Sequence, residues 1–251
     1  MKFVVVSDLH HDWKTCGVPR AAEIQAAVTE SVYAAVNHHA DAWIFTGDLC
    51  DPDEPVAVIA ALGMMVQAST ILRHHHIRVI CVAGNHDVQE TGTGQTVLHP
   101  MAGMPHGIYV FQQPGVWSMQ LDKHEDTWVD VLGLPYTATS HAYDPVFQVK
   151  AAAEQRAKRS ERPILVLGHL HIPGVQPGEE TTEMPRGREV VFPVEEVGKL
   201  TGPKIVINGH YHRRQAFRPA GQEYVIHIPG SVARLTFAEE KHTPGYLLVE
   251  A

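Results

Sequence analysis

The stretch Phe3-Val4-Val5-Val6-Ser7-Asp8-Leu9-His10 sets four apolar residues directly before a small residue, an acid and a histidine. A run of one aromatic and three β-branched side chains predicts a short strand buried on both faces. Its polar residues then stand at the carboxyl end of that strand. The same order recurs four times. Asp41–Phe45 runs into Thr46-Gly47-Asp48-Leu49-Cys50-Asp51, and Arg78–Val82 into Ala83-Gly84-Asn85-His86-Asp87. Ile164–Leu167 runs into Gly168-His169, and Lys204–Ile207 into Asn208-Gly209-His210-Tyr211-His212. A glycine just before the polar residue lets the backbone turn sharply and come close to a bound ion or phosphate.

Working outward, Pro19–His39 and Pro55–His75 carry helix formers at helical spacing between the first three strands. Three strand–loop–helix units in succession predict a parallel sheet in an α/β layered fold. After Asp87 the pattern changes. Gln89–Gly107, with several glycines, Pro100 and Pro105, reads as a loop or lid. Strands are expected at Ile108–Phe111, Val116–Leu121 and Trp128–Leu132. No crossover helix separates the last two, so a second, more antiparallel sheet is expected. Pro145–Arg159 is helical, Gly174–Arg188 a surface excursion, and Tyr224–Ile228 with Tyr246–Val249 a closing pair of hairpin strands. No internal repeat or long linker divides residues 1–251, so the expectation is a single domain on two sheets.

With 44% apolar and 19% charged residues the chain is globular rather than disordered. Its formal charge of -8 has the wrong sign for gripping nucleic acid through a broad basic surface. Bound divalent ions would locally reverse that field. Three cysteines cannot all pair, and none has zinc-ligand spacing, so free thiols in a reducing compartment are expected. The run Phe3–Val6 is too short for a signal peptide, and no segment is expected to span a membrane, which needs ~18 apolar residues. The expected location is the cytoplasm, with no membrane partner.

In open α/β sheets, ligands bind beyond the carboxyl ends of the strands, so groups sent there from five strands converge on one crevice. Imidazole, carboxylate and amide oxygen, without thiolate, suit divalent ions such as Mn²⁺, Fe²⁺ or Zn²⁺. Asp8, His10, Asp48, Asn85, His169, His210 and His212 are too many donors for one catalytic ion that keeps open positions. They suit two ions ~3.5–4 Å apart, clamping a phosphoryl group. A strand-end carboxylate, here Asp48, is the natural bridge.

These motifs, in this order, resemble the calcineurin-like metallophosphoesterase superfamily over nearly the whole chain. The resemblance implies a four-layer αββα sandwich of two packed mixed sheets. It implies that Asp8, His10, Asp48 and His212 hold one ion, and Asp48, Asn85, His169 and His210 the other. It makes His86 the catalytic histidine outside the ligand set and Asp51 the carboxylate that orients it. Mn²⁺ is the metal it implies first, with Fe²⁺, Zn²⁺ or Mg²⁺ as alternatives. The tail, Ile228-Pro229-Gly230-Ser231 through Phe237-Ala238-Glu239-Glu240, is similar to the nuclease subunit of the bacterial SbcCD DNA-repair complex. That likeness implies a phosphodiester hydrolase acting on DNA as an exo- or endonuclease in DNA repair, with an SbcC-like ATPase partner, and it admits a homodimer. The chain stops where those nucleases continue into a DNA-facing cap and a partner-binding segment. Together with the acidic charge, this makes nucleotides and other small phosphoesters the alternative substrates.

Of the 18 histidines, only His10, His86, His169, His210 and His212 fall in the pattern. His171 competes with His169, but the preceding glycine favours His169. His74-His75-His76 point in different directions and read as a solvated helix end, where the dipole favours partly charged imidazoles. Asp87 reads as a loop-fixing residue. His11 and Asp12 read as loop residues beside the site. His99 and His106 belong to the lid, where they could touch substrate. Arg213, Arg214 and Arg218 are readable either as phosphate contacts or as solvated surface.

Overall fold

The computed structural model describes residues 1–89, 93–104, 108–120, 128–138, 141–157, 161–177 and 190–250. The chain begins with β1 (Lys2–Val6), the short pair β2 (Lys14–Thr15) and β3 (Val18–Pro19), α1 (Ala21–Asn37), β4 (Ala42–Phe45), α2 (Pro55–His74) and β5 (Arg78–Val82). It continues through α3 (His99–Ala102), β6 (Ile108–Phe111), β7 (Gly115–Gln120), β8 (Trp128–Leu134), α4 (Pro145–Arg156) and β9 (Ile164–Gly168). Last come α5 (Val194–Lys199), β10 (Lys204–Asn208), β11 (Gln215–Phe217), β12 (Ile226–Ile228) and β13 (Leu247–Glu250).

Among the described residues, one sheet has the order β13-β1-β4-β5-β6 and the other β11-β12-β10-β9-β8-β7. In the first, β1, β4, β5 and β6 run parallel and β13 lies antiparallel on the β1 edge. In the second, β8, β9, β10 and β12 are parallel, with β7 and β11 antiparallel at the edges. The two-residue side-chain period of a strand builds three apolar layers from these sheets. Val4, Val6, Trp43, Phe45, Val79 and Cys81 face α1 and α2. Phe3, Val5, Ala42, Ile44, Ile80 and Val82 face the other way, onto Leu165, Leu167 and Ile207 between the sheets. Ile164, Val166 and Val206 pack outward with Val149 of α4 and Val197 of α5. The result is the expected αββα sandwich. Each large apolar side chain so buried contributes roughly 1.5–3 kcal/mol.

Three expectations need correcting. β12 and β13 do not form a hairpin: β12 pairs with β10 and β11, while β13 crosses to β1 in the other sheet. β13 fills the free edge of a parallel ladder and β12 lies inside its sheet, placements that local sequence does not specify. The second sheet is less antiparallel than expected, because α4 and α5 stand between β8, β9 and β10 in the chain and allow these strands to pair in parallel. Third, α2 does reach a membrane span in length and composition, at 20 residues and a mean hydropathy of 1.8. Its Ala61, Met64, Met65, Ala68 and Leu72 are packed in the core, although Val56 and Ile59 are 83% and 73% exposed. The stretch read as a loop or lid contains α3, and Gln89 pairs back through its N–H to Gln95. His106 and most of the excursion at 178–189 lie outside the described residues.

A buried ion pair ties α4 to the second sheet. Arg156 Nε donates to Asp130 Oδ2 at 2.8 Å, and its remaining nitrogens donate to the carbonyls of Thr201 and Arg162. Ser118 Oγ donates to the other Asp130 oxygen at 2.6 Å. Cys16, Cys50 and Cys81 are all free.

Candidate metal centre

All five predicted strand ends open onto one crevice. The loops after β1 and β4 are zipped together by backbone bonds: Asp8 N–H to Gly47 C=O, and both Leu9 and His10 N–H to Asp48 C=O, at 2.8–3.0 Å. Asp8, His10, Asp48 and His210 all sit in left-handed backbone, with φ of 51°, 45°, 63° and 80°. That region is strained for residues other than glycine and is visited mainly where surrounding structure imposes it. Gly47 has φ 102°, and a Cβ there would strike the His169 ring and come within 2.8 Å of the Gly84 backbone. These turns bring the β1, β4, β5 and β9 ends within touching distance.

Asp87 is the organiser of these loops. Buried completely, it accepts the backbone N–H of Asp48 at 2.9 Å, Leu49 at 2.6 Å and Gly84 at 2.8 Å. It therefore fixes the register of the Asp48 and Asn85 loops, the role its position suggested. Burial, reinforced by the Asp48 charge, pushes its carboxyl up to about 7.

The seven predicted donors come together in two groups. On one side, His10 Nε2 and His212 Nε2 face each other at 3.1 Å, with Asp8 Oδ1 4.0 Å from His212 Nε2. On the other, Asn85 Oδ1 is 3.1 Å from His169 Nε2 and 3.0 Å from His210 Nδ1. Asp48 Oδ1 accepts the His86 N–H at 2.8 Å, which turns Oδ2 toward both groups. Oδ2 lies 3.2 Å from His169 Nε2 and 3.6 Å from His10 Nε2. It is the atom common to both sets, the placement expected of a bridge.

The fit of these residues to cations rests on what they lack in the protein itself. Both Asp8 carboxylate oxygens are buried and have no hydrogen-bond partner among the described residues. A buried carboxylate left so would be costly, and a cation is the partner that removes the cost. Asp8, His10 and His212 offer ligand atoms within 4.8 Å of one another, as do Asp8, Asp48 and His169.

Protonation in the ion-free chain follows burial and neighbours. Burial holds His10 well below its usual range and takes His210 down to about 3, so both are neutral donors. Burial also pulls on His169, but Asp48 beside it overrides this and takes it up to about 9. Burial would raise Asp48, yet His169, His86 and His10 hold it well below the usual carboxylate range. Asp8 is raised by burial despite His169 and His212.

The non-ligand pair behaves differently from the expectation. His86 is exposed at the mouth of the crevice, its ring 4.9 Å from that of His10 and its nitrogen within 4.8 Å of Asp48. Among the described residues no hydrogen bond or ion pair joins Asp51 to it. Asp51 Oδ1 accepts the Asp53 N–H at 2.9 Å, closing a turn ahead of α2, and its own N–H is held by Asp12. A short acid two residues before a free N–H satisfies that local donor first. His99 bonds Gln112 across the lid, and Arg214 and Arg218 are bound to internal carbonyls. Arg213 is exposed and reaches Gln176.

Two further residues hold the donors in place. His169 Nδ1 donates to the Thr46 carbonyl at 2.5 Å, which directs Nε2 at the centre. Glu239, fully buried, receives His212 Nδ1 at 2.9 Å. Glu239 stands in the tail run Phe237-Ala238-Glu239-Glu240, but 27 residues separate it from His212, and no spacing rule connects them.

Strand-end donors in two groups, joined by one carboxylate and open to solvent on one side, are the equipment of a hydrolase that works through a pair of divalent ions. The chain belongs to the calcineurin-like phosphoesterases, whose family pattern matches residues 1–214. It is accordingly a metal-dependent phosphoesterase, and its donor set takes two divalent ions. The fold is shared with a dimetal phosphatase from Danio rerio, at 10% identity and a TM-score of 0.58 over 99% of this chain and 91% of that one. It is shared too with a purple acid phosphatase from yellow lupin (Lupinus luteus) seeds, at 10% identity and a TM-score of 0.55 over 91% and 43%. The nuclease MPE of Pseudomonas putida aligns at 19% identity over 68% and 62%, but its TM-score of 0.31 carries no argument about substrate. No curated protein matches the chain significantly.

Proposed function

We propose that this protein hydrolyses phosphodiesters with two Mn²⁺ ions, and that its substrate is DNA. The observation that carries the two-ion chemistry is Asp48 Oδ2, placed 3.2 Å from His169 and 3.6 Å from His10 between two donor groups. Bound divalent ions would supply a water of lowered pKa and neutralise charge on the phosphoryl oxygens. The protein's own groups do the rest. Asp8, His10, Asp48 and His212 would hold one ion, and Asp48, Asn85, His169 and His210 the other. His86, at the open side of the crevice, is placed to stabilise charge on the phosphoryl group or to give a proton to the leaving oxygen. DNA as substrate rests on the tail from Gly230 to Glu240, which is built into the centre: Ser231 bridges Ser7, and Glu239 holds His212.

A second reading, hydrolysis of nucleotides or other small phosphoesters, is favoured by charge. The chain carries -8, and Arg214, Arg218 and Arg234 spend their guanidinium groups on internal carbonyls. Cleavage of linear double-stranded and single-stranded DNA should be compared with that of a chromogenic small phosphodiester, all under Mn²⁺. DNA cleavage abolished by chelation supports the first reading. Turnover of the small ester alone moves the assignment to the second. A protein inactive on every phosphoester under Mn²⁺, Fe²⁺, Zn²⁺ and Mg²⁺ would sink both.

A further inference from the structure

We infer that Glu239 is a positioning residue for the ion held by Asp8, His10, Asp48 and His212, acting through the tautomer of His212. The inference rests on the two-ion reading and extends the centre past residue 214, where the family match ends. Glu239 is completely buried, and each oxygen has one N–H to accept: Oε1 that of His212 Nδ1 at 2.9 Å, Oε2 that of Leu235 at 2.6 Å. A carboxylate can only accept, so it requires the proton on Nδ1 and leaves Nε2 bare. Nε2 is the nitrogen that faces His10 Nε2 at 3.1 Å and Asp8 Oδ1 at 4.0 Å.

The carboxylate is itself held in place. The Leu235 carbonyl receives Trp13 Nε1 at 2.8 Å and Thr15 Oγ1, and Thr15 is bound in turn by Arg20. Trp13 lies against His10, ring centroids 6.0 Å apart. One residue of the tail, Leu235, thus holds Glu239 through its N–H and, through its carbonyl, the loop that presents His10. Among the described residues, the Nδ1 of His169, a donor of the other group, is backed by a neutral carbonyl, that of Thr46. A carboxylate behind a ligating imidazole raises its basicity as well as fixing its orientation, and loss of such a partner costs about 10–100-fold in metal affinity.

Glu239→Gln is the informative change, because an amide has a single oxygen for two N–H groups. If that oxygen stays with Leu235, the NH₂ faces Nδ1 and drives the proton to Nε2, where a ligand is needed. The experiment titrates metal-free protein with Mn²⁺ alone and counts ions per chain. Wild type should bind two, and Glu239→Gln should bind one of them about 10–100-fold more weakly. Glu239→Asp, which keeps the charge on a shorter stem, should recover part of that loss. Thr15→Ala loosens the same tail without touching His212, and should lower the melting temperature while keeping both affinities. Nitrogen-15 NMR of the ion-free wild type should place the His212 proton on Nδ1. Unchanged affinities in Glu239→Gln, equal losses in Thr15→Ala, or a proton on Nε2 in wild type would each overturn the inference. A wild type that binds no ion defeats the two-ion reading first and this one with it.

Discussion

Asp48 and His169 meet at 3.2 Å, carboxylate oxygen to imidazole nitrogen, where both are sealed from solvent. Without ions, the proton on His169 is what stabilises this contact. The His169 pKa is raised from 6.5 to about 9, so its stabilisation is complete below about 6.5 and is lost as pH rises through 9. Asp87, raised from 3.8 to about 7, loses its own contribution as pH rises between those two values, almost all of it below that window. Chelated protein should therefore lose thermal stability from pH 6.5 to 9. Ion affinity should climb over the same range, since each ion displaces that proton. Melting curves with and without Mn²⁺ across these pH values check both trends; a chelated protein that gains stability up to pH 9 contradicts the pairing.

Asp87 accepts three backbone N–H groups, and an alanine accepts none. Asp87→Ala should destabilise the fold by about 3 kcal/mol or more, since each buried unsatisfied donor costs about 1–3 kcal/mol. Turnover should fall with it, because the loops carrying Asp48 and Asn85 lose their common anchor. Urea denaturation and steady-state kinetics on the same preparation test this. A loss confined to activity would mean that Asp87 has a direct chemical role.

His86 is exposed, with a ring nitrogen within 4.8 Å of ligand atoms of His10 and Asp48, and its proposed role is proton transfer instead of a ligand's. His86→Ala should keep two ions per chain and lose about 10²–10⁴-fold in kcat, the usual worth of a positioned acid or base. Metal analysis beside kcat decides it, and full activity would remove His86 from the mechanism. Asp51→Asn should preserve most activity, because an amide oxygen still accepts the Asp53 N–H.

Arg156 and Asp130 form the buried pair that joins α4 to β8. Arg156→Met strands the Asp130 carboxylate and should cost roughly 3–5 kcal/mol. Replacing both partners by apolar residues should recover much of that loss. Chemical denaturation of the single and double variants measures it, and ion binding in the cold should be unaffected by either.

Most of the centre is legible in the sequence because each donor follows its own strand by one to four residues. Buried strands announce themselves locally, and a strand end points where its sheet points. The parallel unit from Phe3 to Val82 is legible for the same reason. What local sequence does not hold is pairing at a distance. The crossing of β13 to β1 and the reach of Glu239 to His212 join residues whose spacing carries no rule. Asp51 errs the other way: its place beside the motif suggested a partner in the crevice, but an N–H two residues on is nearer. The length and composition of α2 go against the expectation that no segment matches a membrane span, and its packing against the sheet gives the apolar run another cause.

The left-handed backbone at Asp8, His10, Asp48 and His210 has a consequence for how this protein can evolve. Each such residue costs of order 1–3 kcal/mol, and here the side chains that impose the cost are also the proposed ion ligands. Selection for a more robust scaffold and selection for catalysis therefore pull against each other at the same four positions. Glycine at Asp8 would relax the turn and remove two unpartnered oxygens, leaving a calmer fold with an incomplete centre. A lineage released from the need for hydrolysis should drift first at these turns, while Asp87 and the sheets beneath them persist.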